Sequence, residues 1–395
     1  MSSITARISI HTRPCWAEVS LGRLKENFRI VQQHVGPKVS VCAVVKCDAY
    51  GHGVVDCSKA LQDAGATWFG VTSVEEGVKL RSEGIRGRIL IMTGFWRGEE
   101  PDLIRSDLTP TVWTVEHVNL IAAAARKMGR RRVGVHWKID TGMSRLGTSA
   151  EEMPLVADTL IAAGAAVDGG TLMLEGFFSH LASSEVLDAA DAREQIERFR
   201  RAIDWVHSKS LKPRYLHLAN SAAVVGRPDT WNQIVRPGLV LYGYSLPFIS
   251  RTANTEKPSI LPVKPVLTWK ARIINLRNVG AQQPLGYSGA YVTPEPARVA
   301  VIPVGYGDGL SRHLSSRGQV IVRGELAQIV GNVAMDLTLV DVTHIPGVEI
   351  GDEVLLMGEA NGKRVTAVEQ ARWSQTIPYE VLCGLSPRVP RFYVE

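Results

Sequence analysis

Short β-branched runs alternate with amphipathic stretches from about residue 20 to residue 244. The runs Val39–Lys46, Thr67–Thr72, Arg88–Met92, Arg132–Ile139, Leu172–Ser179, Arg214–Leu218 and Leu239–Tyr242 predict strands. Helices are predicted between them. Leu21, Leu24, Phe28 and Val31 recur at helical spacing, as do Ile196, Phe199, Ile203 and Val206 within Ala192–His207. Repeated βα units over this length predict a parallel sheet, as an eight-stranded β/α barrel or a doubly wound sheet.

The pattern then changes. Residues 245–265 contain four prolines and no regular period, which reads as a linker. Beyond it Leu267, Trp269, Ala271 and Ile273 alternate with a mostly polar set. Further strands are predicted near Ala300–Val304, Val320–Arg323, Leu337–Val342 and Glu353–Met357, so a second, mostly β domain is expected. Thr366 with Glu369 forms a capping box for a late helix beginning near Ala367.

Composition narrows the class. The 395 residues are 45% apolar and 21% charged, enough for two or three cores. No run of about eighteen uncharged apolar residues predicts a membrane span. Met1–Pro14 lacks the apolar centre of a signal peptide, so the cytosol is the expected compartment. The net charge of +6 is spread out; its one dense run, Arg126–Arg132, reads as a solvated helix end before it reads as a nucleic-acid patch. The five cysteines form no C-x-x-C pair, so neither a disulfide framework nor a zinc site is indicated.

Four clusters in the first domain carry candidate chemistry. In Ala43–Gly53 an apolar strand runs into Lys46, then into a glycine-containing turn with Tyr50. Lys46 reads either as a surface lysine ending an edge strand or as an amine at the mouth of a barrel, able to form the Schiff base that pyridoxal phosphate requires. In the second cluster, alternation puts His136, Lys138 and Asp140 on one strand face, and the turn that follows delivers Arg145, an anion binder. Three ionisable groups on one face of a mid-series strand point to a polar barrel interior near its mouth. The third, Glu175–Ala182, ends a strand at His180, which reads equally as a capping group or a functional one. In the fourth, Ser221, Arg236, Gly238 and Leu239 follow the last strands, where barrels build phosphate sites. Ser221 reads also as a helix N-cap. In the β domain Tyr287, Tyr306 and Tyr379 stand in turns, and Met335 in a Val-Ala-Met-Asp segment.

The order and spacing of AVVKCDAYGHG, KIDTGMSRLG, EGFFSH, LANSAA, RPGLVLYG, VGYGDG, GNVAMD and YEVLCGLSPRVPRFY resemble the pyridoxal-phosphate-dependent alanine racemases over nearly the whole chain. The resemblance implies an eight-stranded β/α barrel over residues 13–250 that binds the cofactor. It implies a mostly β domain over 251–395, joined by residues 1–12, that contributes to the active site of a partner subunit in a homodimer. It implies interconversion of L- and D-alanine by two bases, supplying D-alanine for peptidoglycan. Lys46 would hold the cofactor and act as one base, and Tyr287 of the partner subunit as the other. Tyr50, Ser221, Gly238, Leu239 and Tyr379 would bind the phosphate. Arg236 would face the pyridine nitrogen, and His180 would link Arg236 to Tyr287. Arg145 and the partner's Met335 backbone would take the substrate carboxylate, with Tyr306 narrowing the entrance. Lys138 would be carbamylated to orient Arg145.

The departures from the family pattern are Cys47 beside the lysine, Ser144, Asn332 and Ala334. They bear on substrate preference and thiol sensitivity. The alternatives are a racemase of broader or serine specificity, a decarboxylase of related fold, and a non-catalytic pyridoxal-phosphate-binding protein, which would lack the β domain.

Overall fold

The structure, a computed structural model, describes Arg13–Ser259 and Leu261–Glu395. The described residues divide into two compact units: Leu24–Ala49 with Val54–Lys264, and Arg13–Arg23 with Tyr50–Gly53 and Pro265–Glu395.

The first strand, β1 (Cys15–Ser20), belongs to the second unit. The barrel unit carries β2 (Ser40–Val44), β3 (Trp68–Val71), β4 (Arg88–Ile91), β5 (Thr109–Val112), β6 (Val133–Lys138), β7 (Leu172–Phe178), β8 (Tyr215–His217) and β9 (Ile234–Val235). These form one parallel eight-stranded sheet in the order β8-β7-β6-β5-β4-β3-β2-β9. Backbone hydrogen bonds from Gln233 to Leu216 (3.1 Å) and from Arg236 to Ala219 (2.9 Å) link β9 to β8 and close the barrel. Helices alternate with the strands. The one over Ala190–Ser208 buries Ile196, Phe199 and Val206.

Two expectations are corrected here. Leu239–Tyr242 is not a strand. It is a 3-10 turn, begun by Gly238 and ended by Gly243 at φ +92°, and the strand that closes the barrel is the two-residue β9 before Pro237. The segment 245–265 is not wholly a linker. It folds a hairpin, Phe248–Ser250 with Thr255–Lys257, tied down by Asp188, which accepts from Ser250 Oγ (2.9 Å) and the backbone N–H of Arg251 (3.1 Å). The barrel unit takes in this hairpin and spans Leu24–Ala49 and Val54–Lys264.

In the second unit a ten-stranded sheet runs Asn275–Val279, Ala297–Ile302, Thr338–Asp341, Glu325–Val330, Gln319–Val322, Glu353–Ala360, Leu267–Arg272, β1 and Arg391–Val394, with Lys363–Val365 beside Glu353–Ala360. β1 is held there because it pairs on both edges, antiparallel to Leu267–Arg272 and parallel to Arg391–Val394. The placement of residues 1–12 lies outside the described residues. Strand Leu267–Arg272 buries alternate side chains, as its period predicts. The Thr366–Glu369 capping box starts the helix Ala367–Ser374.

Candidate active site

Parallel strands of a barrel present their carboxyl ends on one face. There β2 leads to Lys46, β6 ends at Lys138, β7 leads to His180, β8 to Ser221 and β9 to Arg236. Lys46 is half-buried and opens a turn with unusual backbone. Cys47, Asp48, Ala49 and Tyr50 have φ of 51°, 53°, 53° and 54°, a left-handed turn completed by Gly51 at 79°. Each non-glycine residue in that region costs about 1–2 kcal/mol. Two side chains hold the turn: Glu76 accepts the Cys47 N–H (2.7 Å), and Asp48 accepts that of Val54 (2.8 Å).

Arg236 is only 4% exposed. Its guanidinium donates to Nδ1 of His217 (2.8 Å) and to the carbonyl oxygens of Ser179 (2.8 Å) and Leu218 (3.3 Å), and it meets Nδ1 of His180 at 3.3 Å. It also lies over the Phe178 ring, 5.1 Å from the centroid. Burial lowers its pKa to about 10. Burial, followed by Arg236, Lys138, Arg145 and Lys46, brings His180 down to about 3, so that ring is neutral.

Ser221 is not the N-cap of the helix Ser221–Gly226. Asn220 is, accepting the Ala223 N–H (3.1 Å). The Ser221 hydroxyl instead accepts the Gly238 N–H (2.8 Å), which joins the two segments expected to build a phosphate site; Leu239 follows, buried.

Lys138 is 5% exposed, with its amine 5.7 Å from the Phe178 centroid. Burial first, then the charges of Arg236 and Arg145, lower its pKa to about 8. Asp140 accepts the N–H groups of Gly142 (2.8 Å) and Met143 (2.9 Å), shaping the loop that presents Arg145 to solvent.

The second unit holds the other candidates. Tyr50 and Tyr379 face each other with centroids 6.0 Å apart. Gly51 is required beside them, because a Cβ there would lie 2.3 Å from the Leu382 carbonyl oxygen. Asn332 donates to the Tyr287 carbonyl (3.1 Å), while Tyr306 and Gly307 donate their N–H groups to the carbonyls of Ala334 (3.0 Å) and Met335 (2.9 Å). This gathers Tyr287, Tyr306 and Met335 on the surface, 73%, 44% and 53% exposed.

Sequence reasoning placed His136 on a polar strand face without giving it a task, named Glu175 only as the start of a segment, and missed the pairing of His217 with Arg236. His136 Nδ1 lies 2.9 Å from His217 Nε2, and all three groups are buried in the barrel. The signal available was the shared face of His136 and Lys138 on β6.

A closed barrel with an amine and a buried guanidinium on its catalytic face, followed by a separate β unit, defines the class of barrel amino-acid racemases, which are isomerases. The alanine racemase N-terminal domain matches residues 19–246, and the C-terminal domain matches residues 266–393. The chain belongs to the alanine racemase family. It is 40% identical to the alanine racemase of Geobacter sulfurreducens over 387 residues, 97% of this chain and 98% of that one. The crystal structure of alanine racemase from D-cycloserine-producing Streptomyces lavendulae is 33% identical, with a TM-score of 0.89 and 97% of each chain covered. That from Bartonella henselae, with covalently bound pyridoxal phosphate, is 28% identical, with a TM-score of 0.83 over 96% of this chain and 99% of that one. The matched C-terminal domain is the part that a non-catalytic carrier would lack. Among the described residues no helix is long and apolar enough to cross a membrane.

Proposed function

We propose that this protein interconverts L-alanine and D-alanine with pyridoxal phosphate held on Lys46, in the cytoplasm, supplying D-alanine for peptidoglycan. The observation that carries this reading is the joint placement of Lys46 and Arg236 on one barrel face. The residues fit the cofactor. Lys46 offers a half-buried amine to its aldehyde. The Ser221 hydroxyl and the Gly238 N–H, 2.8 Å apart, with Leu239 beside them, suit its phosphate, and the family resemblance assigns Tyr50 and Tyr379 to the same group. Arg236 suits its ring nitrogen. When bound, the cofactor withdraws electrons from the substrate α-carbon.

The chain's own groups then divide the work. Racemisation takes the α-proton from one face and returns it on the other, so two bases on opposite faces are required. The Lys46 amine serves one face. The phenol of the partner subunit's Tyr287 serves the other, with His180 linking it to Arg236. The exposed Tyr287, Tyr306 and Met335 suit an interface with a second copy of the chain. A guanidinium donates and does not accept a proton, so Arg236 leaves the ring nitrogen unprotonated. Beside a group that only donates, a bound cofactor would withdraw electrons less strongly, which would favour racemisation over transamination. Arg145 and the backbone of the partner's Met335 bind the substrate carboxylate, and Tyr306 narrows the entrance.

Lys138 carries a carbamate in this reading. Its neutral amine attacks the carbon of CO₂, a C–N bond forms as one C=O π pair moves onto oxygen, the nitrogen releases one proton to solvent, and the anion orients Arg145. The lowered pKa of Lys138 supports this by supplying neutral amine near physiological pH.

Two experiments test the reading. Cofactor-loaded protein is incubated with a panel of L-amino acids and the products are resolved by chirality. L-alanine should yield D-alanine fastest; an inert panel contradicts the reading, and faster turnover of serine revises the substrate. Separately, Lys46→Ala and Tyr287→Ala chains are mixed after partial unfolding. Activity that returns on mixing supports a site shared between subunits, and none returning contradicts it.

A further inference from the structure

Five ionisable side chains stand in a row inside the barrel. Arg88, the first residue of β4, pairs with Glu175 of β7. Glu175 Oε2 lies 4.0 Å from His136 Nε2, His136 Nδ1 lies 2.9 Å from His217 Nε2, and His217 Nδ1 lies 2.8 Å from Arg236 Nη1. The row begins at the amino end of the barrel and ends at its catalytic face. Glu175, His136, His217 and Arg236 are all buried.

The chemistry of the row fixes its protons. A guanidinium only donates, so His217 Nδ1 accepts and its proton sits on Nε2. That N–H donates to His136 Nδ1, so His136 carries its own proton on Nε2. This nitrogen is buried with no hydrogen-bond partner among the described residues, and Glu175 is the acceptor it faces. Burial and the flanking arginines keep both rings neutral.

The space for the row is built. A Cβ on Gly176 would sit 2.4 Å from His136 Nδ1, and one on Gly134 would sit 2.8 Å from Glu175 Oε2. Neither glycine adopts a positive φ, so each is needed for room and not for backbone shape. Apolar side chains of similar volume would fill a barrel at least as stably as buried charges, so stability alone does not account for the row.

We propose that Glu175 and His136 are positioning residues for Arg236. The carboxylate at one end polarises two neutral imidazoles, so that His217 Nδ1 becomes a stronger acceptor and locks the guanidinium toward the ring nitrogen of the cofactor. The task rests on the reading of Lys46 and Arg236 as cofactor residues. The proton arrangement does not.

The test has two arms on the full chain. In the first, ¹⁵N-histidine labelling reads tautomers directly, with His136→Asn and His217→Asn assigning the signals. Both rings should be neutral with the proton on Nε2. A ring protonated on Nδ1, or on both nitrogens at neutral pH, overturns the row. In the second, Glu175→Gln, Glu175→Asp and His136→Asn are loaded with pyridoxal phosphate and compared with the parent for visible absorbance and for pyruvate formed per racemisation. Glu175→Gln and His136→Asn should keep the cofactor, shift the spectrum, and change the product ratio by about threefold or more, with Glu175→Asp lying between. Parental spectra and ratios in both overturn the positioning role. If Glu175→Gln does not fold, His136→Asn decides this arm. A parent that loads no cofactor sinks the proposed function, while the tautomer arm still reads the row.

Discussion

Gly176 leaves the room that the His136 ring occupies: a Cβ there would meet three ring atoms at 2.4–2.5 Å. The ring is walled by Trp68, with centroids 5.3 Å apart, and by His217 at 5.0 Å, so it has no place to retreat. Gly176→Ala should therefore lower unfolding free energy by about 1–3 kcal/mol in urea titrations. Gly280→Ala, with nothing within 4 Å of the new Cβ, should stay within about 0.5 kcal/mol of the parent. Equal effects of the two would contradict this packing.

Asp308 in the Gly-Tyr-Gly-Asp segment is structural. It is 1% exposed, takes both Arg13 nitrogens at 2.7 and 2.6 Å, and accepts the Gly305 N–H at 2.9 Å. Asp308→Ala takes the carboxylate from Arg13, which keeps only the Asp336 carbonyl, and should destabilise the protein by about 1–3 kcal/mol. Asp308→Asn, which keeps an acceptor for Gly305, should lose less. Thermal unfolding of the two variants checks the order.

Lys138 ties a modification to pH. The folded chain releases its proton near about 8, while a free lysine holds it to about 10.4. Carbamate needs the neutral amine, so a protein-bound ¹³C signal from ¹³CO₂ should grow as pH rises toward 8 and shrink as pH falls. It should be absent from Lys138→Met. In CO₂-free buffer, where the amine is bare, the unfolded chain binds more protons across the window from about 8 to 10.4, so stability gains from rising pH, and the variant loses that slope. No carbamate signal at ample CO₂ would contradict the assignment.

Cys47 adjoins Lys46 and is exposed, as is Cys383, whereas Cys15, Cys42 and Cys57 are buried with thiols pushed up by burial. A thiol reagent should label Cys47 and Cys383 and spare the rest. Label on Cys47 should block cofactor loading, and Cys47→Ser should relieve the block. Peptide mass spectrometry with absorbance readout decides it; labelled protein that loads fully would contradict it.

The barrel was legible where apolar runs are long. β2 to β4 and β6 to β8 lie within the predicted runs, since a strand buried on both faces announces itself in composition, whereas β5, the short Thr-Pro-Thr-Val run at 109–112, was missed because its threonines and proline break an apolar run. β1 has the character of the barrel strands, and only its pairing partners, far along the chain at Leu267–Arg272 and Arg391–Val394, assign it to the other sheet. β9 was illegible because two residues carry no period. The left-handed turn at Cys47–Tyr50 was hidden too, for those residues normally avoid that backbone and its supports, Glu76 and Asp48, are side-chain contacts. The clusters pointed to Lys46, Lys138, His180, Ser221 and Arg236 because ionisable residues stand out at strand ends. The His217–Arg236 bond, made between β8 and the residue after β9, needed three dimensions.

The most direct measurement is borohydride reduction of the protein loaded with pyridoxal phosphate, followed by peptide mass spectrometry. The account predicts a yellow protein whose chromophore is fixed, one per chain, on Lys46, and a Lys46→Ala variant that retains none. Label on another lysine, or no fixed label at all, would contradict it.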